Sequence, residues 1–235
     1  MTMMPFPYKL KEFFTSFNTN IDIEEVEDVS PIDAPLTKWK IWFNCNQLNY
    51  AYLLMIVQMI AHDYTVEAIG DNYVTVTGTV APTAATVLKL AQPTYIHGTQ
   101  KKAKPEFDAL FQNGNIKYPL IYLQEISPET WDTDNLSEIA SRPNVRIWFL
   151  LPCGDWFTDA HYTKVINPMI SLVERFIDEL KYQNIIAESG NDYQLNYHAN
   201  IGSTSEYGHL KDLLNAPHSG VELRATLSRL EENCC

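Results

Sequence analysis

Asn144-Val-Arg-Ile-Trp-Phe-Leu-Leu151 and Tyr118-Pro-Leu-Ile-Tyr-Leu-Gln124 are the stretches whose reading decides the fold. Both are strand-length runs with few polar residues. A strand that faces water on one side alternates apolar and polar positions, whereas a strand covered on both faces does not. The two runs therefore predict central strands of a sheet with helices on its faces. Asp159–Tyr182 supplies the strongest helical pattern beside them. Ile166, Met169, Ile170, Val173, Phe176, Ile177 and Leu180 recur at intervals of three and four and form one apolar stripe. Pro168 lies within it, either kinking the helix or, with Asn167 as N-cap, beginning it at the first position.

Outward from this centre the chain reads as α/β. Tyr8–Phe17 is a short apolar and basic helix candidate, and Lys104–Gln112 is another, stopped by Asn113-Gly114-Asn115. Tyr193–His198 is a strand candidate, and Val221–Leu230 a strand or short helix. Gly202–His218 is polar and loop-like, and Ser127–Asp132 begins an exposed excursion. Residues 39–90 have a different texture. Lys38–Phe43, Tyr64–Ile69 and Tyr73–Thr77 read as strands rich in aromatic and β-branched residues, with Ala85–Leu90 a weaker fourth. Leu48–Ile60 carries a helical stripe, but its flanking hairpins favour strand, and strand is the reading taken. The expected architecture is a mixed sheet flanked by helices, formed by residues 1–18 and 93–235, with a β-rich subdomain inserted at 19–92.

Composition sets limits on function. The 235 residues correspond to roughly one and a half domains. Hydrophobic residues make up 46% and charged residues 20%, an ordinary globular balance that excludes collagen-like and disordered classes. Seventeen Lys and Arg against 29 Asp and Glu leave a formal charge of −12. That argues against a protein devoted to gripping nucleic-acid phosphates. Asp22, Glu24, Glu25, Glu27, Asp28 and Asp33 form a run without a base before Lys38. It reads as solvated linker or strand edge, or else as an acidic contact strip for a basic partner, with Glu24, Glu25 and Glu27 its centre. No secretory leader or membrane-spanning run is expected. Cys45, Cys153, Cys234 and Cys235 form no CxxC pair and read as reduced thiols of a cytoplasmic protein.

Chemical motifs are sparse. P-loop, GxGxxG, GxSxG and HExxH patterns are all missing from the sequence, so no cofactor and no metal is expected. Cys153-Gly-Asp155-Trp156-Phe-Thr-Asp159-Ala-His161 follows the second central strand, at the end of an α/β sheet where sites gather. A thiol hydrolase using Cys153 and His161 is one reading of that segment. The other is structural, with Asp159 favourable at a helix N-terminus and Cys153 a small buried residue. Trp131 and Trp156, in loop-like contexts beside charged residues such as Asp155, are candidate interface anchors. Trp39, Trp42 and Trp148 fall on strands and read as core.

Several segments occur in a familiar order: Pro93–Thr99 (PTYIHGT), Lys117–Glu125 (KYPLIYLQE), Val145–Leu150 (VRIWFL) and Tyr162–Ile170 (YTKVINPMI). This order resembles tail-terminator and tail-completion (neck) proteins of tailed bacteriophages over residues 93–182. The resemblance implies a homo-oligomeric ring, typically a hexamer, that caps the tail tube and meets the head-side connector. It also implies a virion component assembled in the host bacterial cytoplasm, no enzymatic activity, no membrane, and DNA only as a passenger through the lumen. The stretch at 19–92 departs from the compact family pattern. A monomeric binding module built on that stretch is a further alternative.

Overall fold

A computed structural model describes residues 5–31, 37–44, 50–52, 55–70, 72, 73–82, 84–112, 118–124, 129–131, 139–152, 162–201, 210, 214 and 218–230. The chain divides into two units, Met1–Phe17 with Pro93–Trp156 and Val173–Cys235, and Asn18–Gln92 with Phe157–Leu172. In chain order α1 (Phe6–Thr15) comes first. It is followed by β1 (Asn20–Asp28), β2 (Thr37–Phe43), β3 (Ile56–Met59), β4 (His62–Ile69), β5 (Tyr73–Gly78) and β6 (Val87–Lys89). Then come β7 (Thr94–Gly98), α2 (Gln100–Gln112), β8 (Leu120–Gln124), β9 (Glu129–Trp131) and β10 (Ile139–Pro152). A π-helical turn, Tyr162–Ile166, leads into α3 (Asn167–Tyr182), and β11 (Asp192–Ile201), β12 (His218–Thr226) and β13 (Arg229–Leu230) complete the order.

The fold is mixed α/β. In the first unit the sheet order is β11-β12-β10-β8-β7, with β9 and β13 pairing the early part of β10. Among the described strands only β7 and β8 run parallel, joined through α2, as a parallel pair requires. The two apolar runs are β8 and the second half of β10, both interior, and both faces are covered. On one face Phe149 of β10 meets Phe176 of α3 at 5.6 Å between ring centroids, and Phe176 stacks on Phe14 of α1 at 5.5 Å. On the other, Tyr122 and Trp148 join Phe107 of α2, with Leu210 and Leu214 packed into the same cluster. Each fully buried side chain of this size contributes about 1.5–3 kcal/mol. Gly220 in β12 is demanded by this packing, because a Cβ there would collide with the backbone carbonyl of Phe149.

The β-rich stretch is a closed antiparallel barrel in the order β1-β2-β5-β4-β3-β6, sealed where Ile21 and Asp22 pair Leu88 and Val87. Trp39, Ile41, Phe43, Tyr64, Val66, Val74, Val76 and Leu88 are buried. The acidic run from Asp22 to Asp28 is strand, not linker: β1 pairs β6 at Asn20–Asp22 and β2 from Ile23 to Asp28, so Glu24, Glu25 and Glu27 have a described partner strand on one side only, and Asp33 lies outside the described residues. A bulge between Ile23 and Glu25 leaves Glu24 as the extra residue, so Glu24 and Glu25 are exposed in succession. Among the described residues of Leu48–Ile60, strand is found at Ile56–Met59. Of the two readings for Pro168, the structure has the helix starting there: it falls in the first turn of α3, after the π-helical turn, and Val221–Leu230 is strand except at Leu227 and Ser228. Trp131 lies on β9, not in a loop, opposite Ser141.

The two-residue link between β3 and β4 is unusual. Ile60 and Ala61 have φ of 48° and 63°, the left-handed values a tight hairpin needs but β-branched residues disfavour. Ala61→Gly is expected to raise stability by about 0.5–1 kcal/mol. Gly220→Ala is expected to lower it by at least about 2 kcal/mol. Urea unfolding of the two variants checks both signs; a stabilised Gly220→Ala would contradict the close approach of β12 to β10.

Candidate functional site

The polar concentration of the first unit lies where helix cover runs out on the α2-side face. Register places Arg146 opposite both Gln124 and Arg224, and Glu222 opposite both Trp148 and Asn196. Because side chains alternate along strands, Arg146, Glu222, Arg224, Asn196 and His198 all share this face. Glu222 is fully buried, at 0% exposure. A buried carboxylate is tolerated only when its oxygens are saturated with donors, and Glu222 is saturated. It accepts from Arg146 Nε, from Arg224 Nε at 2.9 Å and Nη2 at 3.3 Å, and from Asn196 Nδ2 at 3.3 Å. His198 Nε2 lies 3.0 Å from Oε2. An ionised carboxylate only accepts, so that nitrogen carries the proton.

Burial alone would raise the Glu222 carboxyl. The hydrogen bonds from His198, Arg224 and Arg146, with the charge of Arg146, outweigh it and hold the group at about 2, well below its ordinary 4.5. Such a carboxylate is a poor proton acceptor near neutrality, so its chemistry is to orient cations rather than to act as a base. Arg146 also lies over the Trp148 ring, 5.0 Å from its centroid. An open groove runs over Arg146, Arg224 and Gln194, ending at Asn144, Thr226 and Asp192. Arg146 Nη2 is buried beneath it without a hydrogen-bond partner.

A second polar pair sits near the opposite end of the strands. Tyr118 Oη is 2.8 Å from Nε2 of the fully buried His218, which pairs Pro152 at the end of β10. Burial pushes the Tyr118 hydroxyl up to about 12, so it stays neutral near pH 7. Cys153, Asp155, Trp156 and His161 lie outside the described residues, as do Cys45, Cys234 and Cys235. Glu24, Glu25 and Glu27 are exposed along β1. Trp39 and Trp148 are buried, but Trp42 is not core. It stands half-buried on the outside of the barrel, donating from Nε1 to Glu27 at 3.3 Å, with Lys40 Nζ 3.9 Å from its ring.

Among the described residues no group of three or more His, Cys, Asp or Glu side chains is placed to hold a metal ion. Likewise, no described helix is long and apolar enough to cross a membrane. Comparison with protein-family models, curated proteins and solved structures finds no match to the chain.

Glu222 titrates lower in the folded chain than in the unfolded one. Its contribution is therefore fully present above about pH 4.5 and is lost as pH falls toward about 2. Glu222→Gln is expected to cost on the order of 3 kcal/mol near neutral pH, because two guanidiniums lose their counter-charge. The variant should also show a flatter loss of stability on acidification. Urea unfolding at a series of pH values measures both; parallel curves for variant and parent would refute the assignment.

Proposed function

We propose that this chain is a structural subunit of the tail–neck region of a tailed bacteriophage. In this reading it is a tail-terminator-like protein that forms a homo-oligomeric ring, capping the tail tube and meeting the head-side connector. The resemblance over residues 93–182 names the class. The observation that carries the reading toward assembly is β11. This ten-residue strand ends the sheet order, and among the described residues no strand pairs its outer side. Its side chains on the α3-side face include Tyr193 and Tyr197, 58% and 51% exposed. A long open edge is a template for pairing with another chain, and a monomer ordinarily blunts it with charge, proline or a bulge. β11 has such an irregularity only between His198 and Ile201, and the regular stretch before it carries tyrosines, residues enriched at protein interfaces.

The mechanism is capping by burial. A ring uses heterologous contacts that close by rotation, and closure hides edges that would otherwise continue to add subunits. The negative charge of each subunit also keeps a lumen from holding phosphates as DNA passes. The tube protein and head-side connector are the remaining partners in this scheme.

Tyr193→Glu with Tyr197→Glu should leave the fold intact, since both side chains are exposed, and should shift the chain from ring to monomer in light scattering. A parent chain that stays monomeric at high concentration, or a double variant that assembles like the parent, would count against β11 as the joining edge.

A further inference from the structure

The groove over Arg146 and Arg224 is a prepared site for an anion. Glu222 fixes Arg224 from below through Nε and Nη2, yet the Arg224 side chain remains 51% exposed. The guanidinium is thus held in one orientation while its outer side meets solvent. Arg146 is 11% exposed, its Nε is taken by Glu222, and its buried Nη2 has no acceptor. A buried donor left unmade costs about 1–3 kcal/mol, which is relieved only if the Arg146 guanidinium turns toward an acceptor entering the groove it lines. Planar guanidiniums in a fixed pair match carboxylate oxygens. Asp192 at the end of the groove opposes an anion there, which restricts favourable entry to the Arg side.

The same chain carries a matching surface. The bulge in β1 presents Glu24 and Glu25 in succession, with Glu27 beyond them, all exposed. Subunits of charge −12 repel one another, so their contacts require local pairing of opposite charge. Two different complementary patches on one chain make a heterologous contact, the kind that generates a ring. We propose that the Arg146–Arg224 groove of one copy receives the Glu24, Glu25 and Glu27 strip of the next. This rests on the ring reading above and adds the charged contact that sets the order of neighbours.

The test is a charge swap followed by native mass spectrometry and sedimentation of the full chain, with thermal melting to confirm folding. Arg224→Glu alone and the triple variant Glu24→Lys, Glu25→Lys, Glu27→Lys alone are each expected to weaken self-association by at least about tenfold. Arg224→Gln, which adds no charge beside Glu222, should give a smaller loss and serves if Arg224→Glu does not fold. Mixing the Arg224→Glu chain with the triple-Lys chain should restore assembly, because every junction in an alternating ring then pairs opposite charges. Rings that form equally well in each single variant would overturn this contact while leaving the ring itself standing. Two impaired variants that fail to assemble on mixing would also overturn it. A parent chain that remains monomeric throughout would overturn both the contact and the ring.

Discussion

Burial of both faces of β10 is the constraint on which the sheet unit depends. Trp148 points toward the α2 side and Phe149 toward α1 and α3, so the strand cannot slip by one residue without exchanging two filled surfaces. Neighbouring features follow from it. β8 is paired along the same length of β10 and shares its two-sided cover, which explains its apolar composition, whereas β12 keeps Val221, Leu223 and Ala225 on the α3-side face and turns Glu222 and Arg224 to the other. Gly220 is required because β12 approaches Phe149 too closely for a side chain. Phe14, Phe176 and Phe149 then form one aromatic layer that fixes where α1 and α3 lie on the sheet.

The polar site arises where that cover stops. Moving outward across β10, β12 and β11, the α2-side face changes from Trp148 to Glu222 to Asn196. A lone carboxylate could not be buried there, but one surrounded by two arginines, a histidine and an asparagine is. Chemistry that needs a proton acceptor is poorly served by a carboxyl held at about 2. Recognition of a negatively charged group is well served by the oriented arginines around it.

Much of the fold was legible from residues, for identifiable reasons. The interior strands announced themselves by continuous apolar runs, and α3 by its stripe from Val173 to Leu180. β2, β4 and β5 showed dense aromatic and β-branched character. β1 was hidden because its acidic positions outnumber its inward ones and the bulge at Glu24 breaks the period of two. β7 is five residues long and is defined by parallel pairing with β8, a partnership with no local signal. β3 was obscured by a helical stripe running through Leu48–Ile60. Of the site, the local signal is slight: Arg146 is a lone charge inside an apolar run, and Glu222 and Arg224 stand on one face of a strand whose other face is apolar. Their meeting depends on the β10–β12 register, which no single stretch contains. Trp42 was misread because a tryptophan on a barrel strand can stack on Lys40 outside the barrel as readily as fill its interior.

In the proposed self-assembly an open strand edge, an oriented arginine pair and an exposed acidic strip act together. Electron microscopy of the purified chain at high concentration tests that scheme most directly. Closed rings of uniform subunit number, with neighbours related by rotation, are the predicted result. A field of isolated particles of single-chain size, or open filaments that never close, would contradict it.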